Sequence, residues 1–315
     1  MEARRLCRIL IVEWAIQTVL LMLADKTTAN PLQRDTNATS GKKVIMDYIG
    51  ASGIDITVTG VPITDSVDFY FILAFAIDAS PTAHPQNGIF EPYWSTKITP
   101  NSIAALKLKH RNVKVLISLA GDSQYVSDTK QPQVYWYDPE DPDLWIKNAV
   151  QSLTRMAKQW YADGIDLNYE NFHANKYKKF TYCLGQLITQ LKQKQVITVA
   201  SMAPYLKTTL LYQDLYQNYS GVFDYLNYQF YADDLFSVSQ YVNYFREVVG
   251  KYRAYGKTTA SIQLYNQGLQ GKQFMSVVTE LLKNDSLPGV MIWDLDASST
   301  KHYVTETALQ ALFSA

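Results

Sequence analysis

The residues best placed to do chemistry lie in one short segment, DGIDLNYE at positions 163–170. Alternate residues of a β-strand share a face, so Asp166, Asn168 and Glu170 point to one side and the apolar residues between them to the other. Carboxyl groups can transfer protons, but burying one without partners costs several kcal/mol. We call these three residues the polar row, and expect its carboxylates to be either paired or working.

The position of the polar row depends on the sheet that carries it. If the strand belongs to a closed barrel, its apolar side packs against helices and the polar row faces the barrel interior. Glu170 then lies at the carboxyl end of the strand, where barrel enzymes place their catalytic groups. An acidic cluster on a loop would show the same spacing, and the segment alone leaves that alternative open.

Strand-like and helix-like segments alternate from Val44 to the end of the chain, which favours βα units and a parallel sheet. Eight strands match a closed barrel better than an open doubly wound sheet, whose first strand should lead into a Gly-rich phosphate loop. Residues 48–53 approximate such a loop poorly. We therefore predict an α/β fold, a single-domain (β/α)8 TIM barrel over residues 44–315. The predicted strands are Val44–Ile49, Phe69–Ile77, Val113–Leu119, Gly164–Tyr169, Ile197–Met202, Tyr225–Phe230, Thr259–Leu264 and Val290–Trp293. The clearest predicted helices are Asp143–Tyr161, Tyr177–Lys192, Ser237–Tyr252 and Gln273–Leu282.

Composition excludes several classes of partner. The 315 residues carry 29 basic and 29 acidic side chains, so the net charge gives no reason to expect nucleic acid. The four histidines are scattered, which argues against a metal site, and without a Gly-rich cofactor loop we expect no cofactor. The 23 tyrosines and 6 tryptophans suit a large core, and also the amphipathic surfaces that bind sugars.

The first residues differ from the rest of the chain. Residues 1–29 combine a basic start, an apolar run and small residues, which predicts a secretory signal peptide and a secreted or vacuolar protein. Glu13 and Gln17 interrupt the apolar run, which argues against a membrane span. An uncleaved membrane anchor stays an alternative, and we expect no other stable membrane partner. Residues 30–43 are polar and turn-rich, and we interpret them as a tether.

The positions of cysteine and asparagine residues are compatible with secretion. Cys7 lies inside the predicted signal, so Cys183 would be left alone and the mature chain would have no internal disulfide. N-x-S/T triplets occur at Asn37, Asn218 and Asn284 and would accept glycans on a secreted chain.

The segment at 163–170 resembles the D-x-x-D-x-D-x-E pattern of family-18 glycoside hydrolases, with Asn168 in place of the third carboxylate. Residues 113–121, VKVLISLAG, are similar to the third-strand K-V-x-x-S-x-G-G motif, with Ala120 in place of its first glycine. Residues 223–231 resemble the sixth-strand segment of plant chitinases, and Gly289–Trp293 resembles the eighth strand. Four motifs in the right order extend the resemblance from Val44 to Phe313, closest to the plant branch that contains bulb chitinases and narbonin.

The resemblance implies chitin or N-acetylglucosamine oligosaccharides as partner and a role for each matching residue. Glu170 would be the proton donor, Gln229 and Tyr231 would bind the sugar, and Trp293 would form the floor of the subsite. Asp166 belongs to the catalytic motif with Glu170 and the degenerate position Asn168, and Asp163 and Asp166 are structural with or without the resemblance. Without it, core filling is the favoured role of Trp293, and Gln229 and Tyr231 could lie at the barrel mouth without touching ligand.

Asn168 departs from the family pattern at a position that would orient the substrate's acetamide and stabilise developing positive charge. A unit charge about 5 Å from a cation contributes about 3 kcal/mol at an effective dielectric of about 20, or about two powers of ten in rate. Three functions follow from this departure. They are a weakened endo-β-1,4-N-acetylglucosaminidase of the chitinase type, a lectin-like protein that binds such sugars without cutting them, and a storage protein that retains only the barrel.

Overall fold

Eight parallel strands form the central sheet of the computed structural model, which describes residues 41–80, 84–122 and 134–315. Two of the remaining strands, Tyr135–Trp136 (β5) and Asn171–Phe172 (β7), pair with each other, and Glu91–Pro92 (β3) runs antiparallel to Asp68–Ile77 (β2). The eight strands are Val44–Ile49 (β1), Asp68–Ile77 (β2), Val113–Ala120 (β4), Gly164–Asn168 (β6), Val199–Met202 (β8), Tyr225–Leu226 (β9), Ala260–Gln263 (β10) and Gly289–Trp293 (β11).

Backbone hydrogen bonds close this sheet into a barrel. The pairing order is β10-β11-β1-β2-β4-β6-β8-β9, so the strands at its two ends must meet. Leu226 of β9 forms a parallel bridge with Thr258, just before β10. Its amide donates to the Lys257 carbonyl at 2.9 Å, and Thr259 donates to the Leu226 carbonyl at 3.0 Å. The predicted (β/α)8 barrel is therefore confirmed.

Helices follow the barrel strands, except that residues 50–67, between β1 and β2, contain none. Local signals set several helix starts: the hydroxyl of Thr99 accepts from the Ser102 amide before α1, and the Asp141 carboxylate caps α2. No helix within the described ranges is long and apolar enough to cross a membrane. The helices are Pro100–Lys109 (α1), Pro142–Trp160 (α2), Phe180–Gln193 (α3), Thr209–Tyr219 (α4), Val238–Tyr252 (α5), Gly271–Asn284 (α6), Leu295–Ser299 (α7) and Val304–Phe313 (α8).

Strand β9 is much shorter than predicted. We expected it to run to Phe230, but it ends at Leu226 and the chain forms a 3-10 turn over Phe230–Ala232. Backbone bonds still tie the intervening residues to the chain after β8, with Gln229 donating to the Pro204 carbonyl at 2.9 Å. The apolar run predicted an extended segment, whereas tertiary contacts turn its last residues into the barrel mouth.

The alternation predicted for residues 163–170 holds in β6. Asp166 is buried inside the barrel, while Tyr169 lies on the other side among aromatic rings, 5.3 Å from Trp136 and 6.0 Å from Phe180 between centroids. The predicted signal peptide and residues 30–40 of the predicted tether lie outside the described residues, as do Cys7 and Asn37. These assignments stay predictions.

Candidate active site

Asp166 is the buried centre of the polar row. Its Oδ2 accepts hydrogen bonds from the hydroxyls of Tyr48 and Ser118, both at 2.7 Å, and its Oδ1 accepts from Ser201 at 2.6 Å. Burial raises the pKa of Asp166, and these hydroxyl donors act against that rise. Donors from β1, β4 and β8 therefore hold the carboxyl group in one orientation.

Asp163, the first acid of the segment, lies outside this group. Its Oδ2 accepts from Lys107 Nζ at 2.7 Å and from the Val115 amide at 2.8 Å. The residue precedes β6 and connects α1 to β4. Its contacts are those of a structural residue.

Gln229 joins the outer part of the polar row. Its Nε2 lies 3.1 Å from Asn168 Oδ1, 3.2 Å from Glu170 Oε1 and 2.9 Å from the Ala203 carbonyl oxygen. Tyr231 donates its hydroxyl proton to Gln229 Oε1 at 3.2 Å. An amide nitrogen carries two hydrogens, so the three acceptors share them. The structure thus brings four of the sequence-predicted site residues, Asn168, Glu170, Gln229 and Tyr231, into one hydrogen-bonded network.

Glu170 has the electrostatic character of a proton donor. Desolvation by burial raises the pKa of its carboxyl group to about 7. Hydrogen bonds from Gln229 and Asn168 oppose this rise, while the charges of Asp122 and Asp166 add to it. A carboxyl group with this pKa is largely protonated below neutral pH and can release its proton near neutrality, which suits general acid catalysis.

Trp293, the last residue of β11, is half-buried beside this network. Its ring stacks nearly parallel on Phe75, 5.9 Å between centroids, and meets the edge of Tyr48 at 5.2 Å. The same Tyr48 bonds Asp166, so one side chain contacts both the aromatic floor and the buried acid. Part of the indole remains accessible, as a surface that stacks on a sugar requires.

The turn after β4 brings its backbone close to the polar row. Gly121 donates its amide to the Asn168 carbonyl at 3.0 Å and has a φ of +79°. A Cβ on Gly121 would lie 2.3 Å from the Phe75 ring, so only glycine fits. Ala120 adopts a φ of +75° despite its side chain.

Sequence reasoning missed several residues that complete the site. Tyr48 and Ser118 have a recognisable signal, because each occupies an inward position in the alternation of its strand. Tyr205 and Asp122 follow the ends of β8 and β4, and both act electrostatically with Glu170. Within the described ranges, no group of three or more His, Cys, Asp or Glu residues is arranged to hold a metal ion.

Comparisons with known proteins identify the family, although no family model matches the chain. Chitinase 1 of Tulipa saxatilis subsp. bakeri is 38% identical over 278 residues, or 85% of this chain and 85% of the tulip protein. The catalytic domain of a family GH18 chitinase from the fern Peteris ryukyuensis is 38% identical and superposes with a TM-score of 0.81, covering 87% of this chain and all of the fern domain. The family 18 chitinase of Crocus vernus is 31% identical with a TM-score of 0.80, covering 86% of this chain and 100% of its own. The chain therefore belongs to glycoside hydrolase family 18, among the plant chitinase-like proteins.

Proposed function

We propose that this protein cleaves β-1,4-linked N-acetylglucosamine polymers, slowly, by the substrate-assisted mechanism of its family. The observation that carries the proposal is the convergence of Glu170, Tyr231 and Trp293 at one end of the barrel, with Glu170 titrating near neutrality. A storage barrel needs neither a raised carboxyl pKa nor a half-exposed tryptophan beside it. The similarity to proteins named as chitinases supports the same substrate class.

The proposed reaction uses the sugar's own acetamide as nucleophile, an exception to the two-carboxylate scheme. Glu170 donates its proton to the glycosidic oxygen as that bond breaks, and the acetamide carbonyl oxygen attacks the anomeric carbon. Trp293 stacks beneath the ring, and Tyr231 donates a hydrogen bond to the acetamide oxygen. Water then opens the cyclic intermediate, returning a proton to Glu170.

Asn168 limits the rate in this scheme. Its Oδ1 can still accept the acetamide N–H, but it already accepts from Gln229, and an amide brings no charge to stabilise the cationic intermediate. We infer that Asn168→Asp increases turnover about a hundredfold, the value of a unit charge about 5 Å away at moderate dielectric.

Binding of the same sugars without cleavage is the second candidate function. It rests on the same residue, because a site that retains its aromatic floor and loses its charge keeps affinity better than rate. The two candidates differ in one measurable quantity, product formed per bound ligand.

The deciding experiment compares four forms of the full chain on a chitin hexasaccharide: the natural protein, Glu170→Gln, Asn168→Asp and Glu140→Gln. Glu140 is exposed, so its variant makes the same chemical change away from the site. Binding is measured by calorimetry and products by chromatography. We expect Glu170→Gln to reduce turnover by about two to four powers of ten, the usual contribution of a general acid, and Glu140→Gln to leave it unchanged.

Each other result assigns the function differently. Binding without products in the natural protein, with products in Asn168→Asp, identifies a lectin-like protein with a latent site. Neither binding nor products identifies a storage barrel. Export to the cell exterior or the vacuole belongs to the same proposal, and N-terminal sequencing of the mature protein tests whether residues 1–29 are removed.

A further inference from the structure

Asp122 is an acidic residue of the barrel mouth that the family pattern does not include. It directly follows Gly121, whose amide bonds the carbonyl of Asn168. Its Oδ1 accepts a hydrogen bond from Asn171 Nδ2 at 2.8 Å, and Asn171 directly follows Glu170. The Asp122 carboxylate is thus attached to the segment that carries the proposed acid.

In the parallel pairing of β4 with β6, Ala120 lies opposite Asn168 and Gly121 donates to the Asn168 carbonyl, so the same register places Asp122 opposite Glu170. The charges of Asp122 and of the buried Asp166 both raise the pKa of Glu170. The charges of Glu170 and Asp122 also raise the pKa of Tyr205, which follows β8. Among the described residues, the titratable groups that interact with Glu170 are Asp122 after β4, Asp166 on β6, Tyr48 on β1, Tyr205 after β8, Tyr212 on α4 and Tyr231 after β9.

The Asp122 carboxylate gains importance because residue 168, next to Glu170 on the polar row, is an amide. A carboxylic acid at position 168 could share a proton with Glu170 or Asp166, whereas an amide cannot. Glu170 must then remain protonated through burial and through charges placed elsewhere. Asp122 supplies such a charge from a neighbouring strand end, and its bond to Asn171 holds it there.

We propose that Asp122 is a positioning residue of this site, whose carboxylate is held beside Glu170 by Asn171 and acts through Glu170 in place of the acid missing at position 168. The inference deepens the proposed function and rests on it for its catalytic meaning. The predicted effect of Asp122 on the Glu170 pKa does not depend on turnover, so it can be measured even if the protein cleaves no substrate.

The test is a carbon-13 NMR titration of the full chain labelled at the glutamate carboxyl carbons. The Glu170 signal is identified by its absence in Glu170→Gln. In Asp122→Asn, which keeps an oxygen to accept from Asn171, we expect the Glu170 pKa to fall by about one unit. Asp122→Glu, which keeps the charge, should leave the pKa near its natural value.

Asp234→Asn is the matched control, because Asp234 is exposed after β9 and the substitution removes the same charge. The Glu170 pKa should not change in this variant. An unchanged pKa in Asp122→Asn, or an equal fall in Asp234→Asn, would overturn the proposal, since the effect would then be absent or merely one of net charge.

Kinetics on the chitin hexasaccharide provide the second readout. The basic limb of the kcat profile in Asp122→Asn should move to lower pH by the same interval as the NMR pKa, with KM at pH 5 unchanged. A basic limb that does not move while the NMR pKa falls would contradict the catalytic part of the proposal. Absence of products from every form, with the NMR shift intact, would reject the proposed function and leave the electrostatic role of Asp122 standing.

Discussion

Two groups of buried carboxylates lie on opposite sides of strand β1. Inside the barrel, Asp166 meets three hydroxyl donors, one of them from Tyr48 of β1. Outside it, the neighbouring Asp47 is fully buried, and neither of its oxygens meets a hydrogen-bond donor among the described residues. Of the neighbouring charges, that of Glu306 on α8 raises the pKa of Asp47 the most.

The outer carboxylate cluster consists of Asp47, Asp294, Asp296 and Glu306, and its members are accommodated unequally. Asp296 accepts from the amides of Gly50 and Ser52 at 2.8 and 3.0 Å, and Asp294 caps α7 through the Ala297 amide at 2.9 Å. Burial raises the pKa of Asp47 well above its usual range, and Glu306 adds to the rise. A protonated Asp47 can donate to Glu306, which avoids two adjacent negative charges in this buried cluster.

Burial is therefore common to both groups, and Asp47 stands apart because neither of its oxygens meets a hydrogen-bond donor among the described residues. In the barrel interior, hydroxyls from the three strands β1, β4 and β8 converge on Asp166, and the amide of Gln229 bonds Glu170 at the mouth. In the outer cluster, Asp294 and Asp296 accept from amides and hydroxyls, whereas Asp47 interacts with the carboxyl group of Glu306. A raised pKa alone does not distinguish the two groups as candidates for catalysis, whereas the position of Glu170 at the barrel mouth favours the first.

The largest expected effect tests the raised carboxyl pKa values that the two groups have in common. Burial raises the pKa of Asp294 and Glu170 to about 7 and raises that of Asp47, and it raises the pKa of Asp78, a further buried acid directly after β2, to about 6. The folded state therefore holds protons that the unfolded state releases near pH 4, so the stabilisation is complete below that pH and is lost as pH rises through 6 to 7. We expect the free energy of unfolding to fall by at least about 3 kcal/mol between pH 5 and pH 8.

Urea denaturation at a series of pH values measures this dependence. Constant ionic strength serves as the control, because it keeps screening of the surface charges the same. A free energy of unfolding that stays level or rises over this interval would contradict the assigned protonation.

Asp166→Asn tests the acid inside the barrel, which accepts from three hydroxyls. The amide replaces one acceptor oxygen with a donor nitrogen, so at least one of the three buried hydroxyls must reorient or lose its acceptor. We expect the free energy of unfolding to fall by about 2 kcal/mol at pH 7. Urea denaturation gives the value, and an unchanged midpoint would show that the hydroxyls do not depend on the carboxylate.

Asp47→Asn tests the outer carboxylate cluster, and we expect it to change the free energy of unfolding in the opposite direction. An amide needs no bound proton and can donate an N–H to Glu306. We expect the free energy of unfolding at pH 8 to rise by about 1 kcal/mol, with little change at pH 5. The same denaturation series detects this, and a loss of stability at pH 8 would mean that Asp47 is ionised and paired.

Much of the fold could be predicted because it depends on local patterns. Apolar runs and helical periods located all eight barrel strands, and period-two alternation placed Asp166 inside the barrel and Tyr169 outside it. The end of β9 could not be predicted, because Gln229 turns toward the barrel mouth through a bond to the Pro204 carbonyl. Pairing between distant segments decides such an end, and no local propensity encodes it.

The candidate site, like the fold, could be predicted only in part from the sequence. The sequence by itself determined which residue types alternate on one face of β6, because the side-chain period of a strand is two. Only the tertiary structure decided which groups surround them: that Gln229 bridges Asn168 and Glu170, that Tyr48 contacts both Asp166 and Trp293, and that Asp122 comes close to the proposed acid. Charges interact through space, and barrel closure sets those distances between residues far apart in the chain.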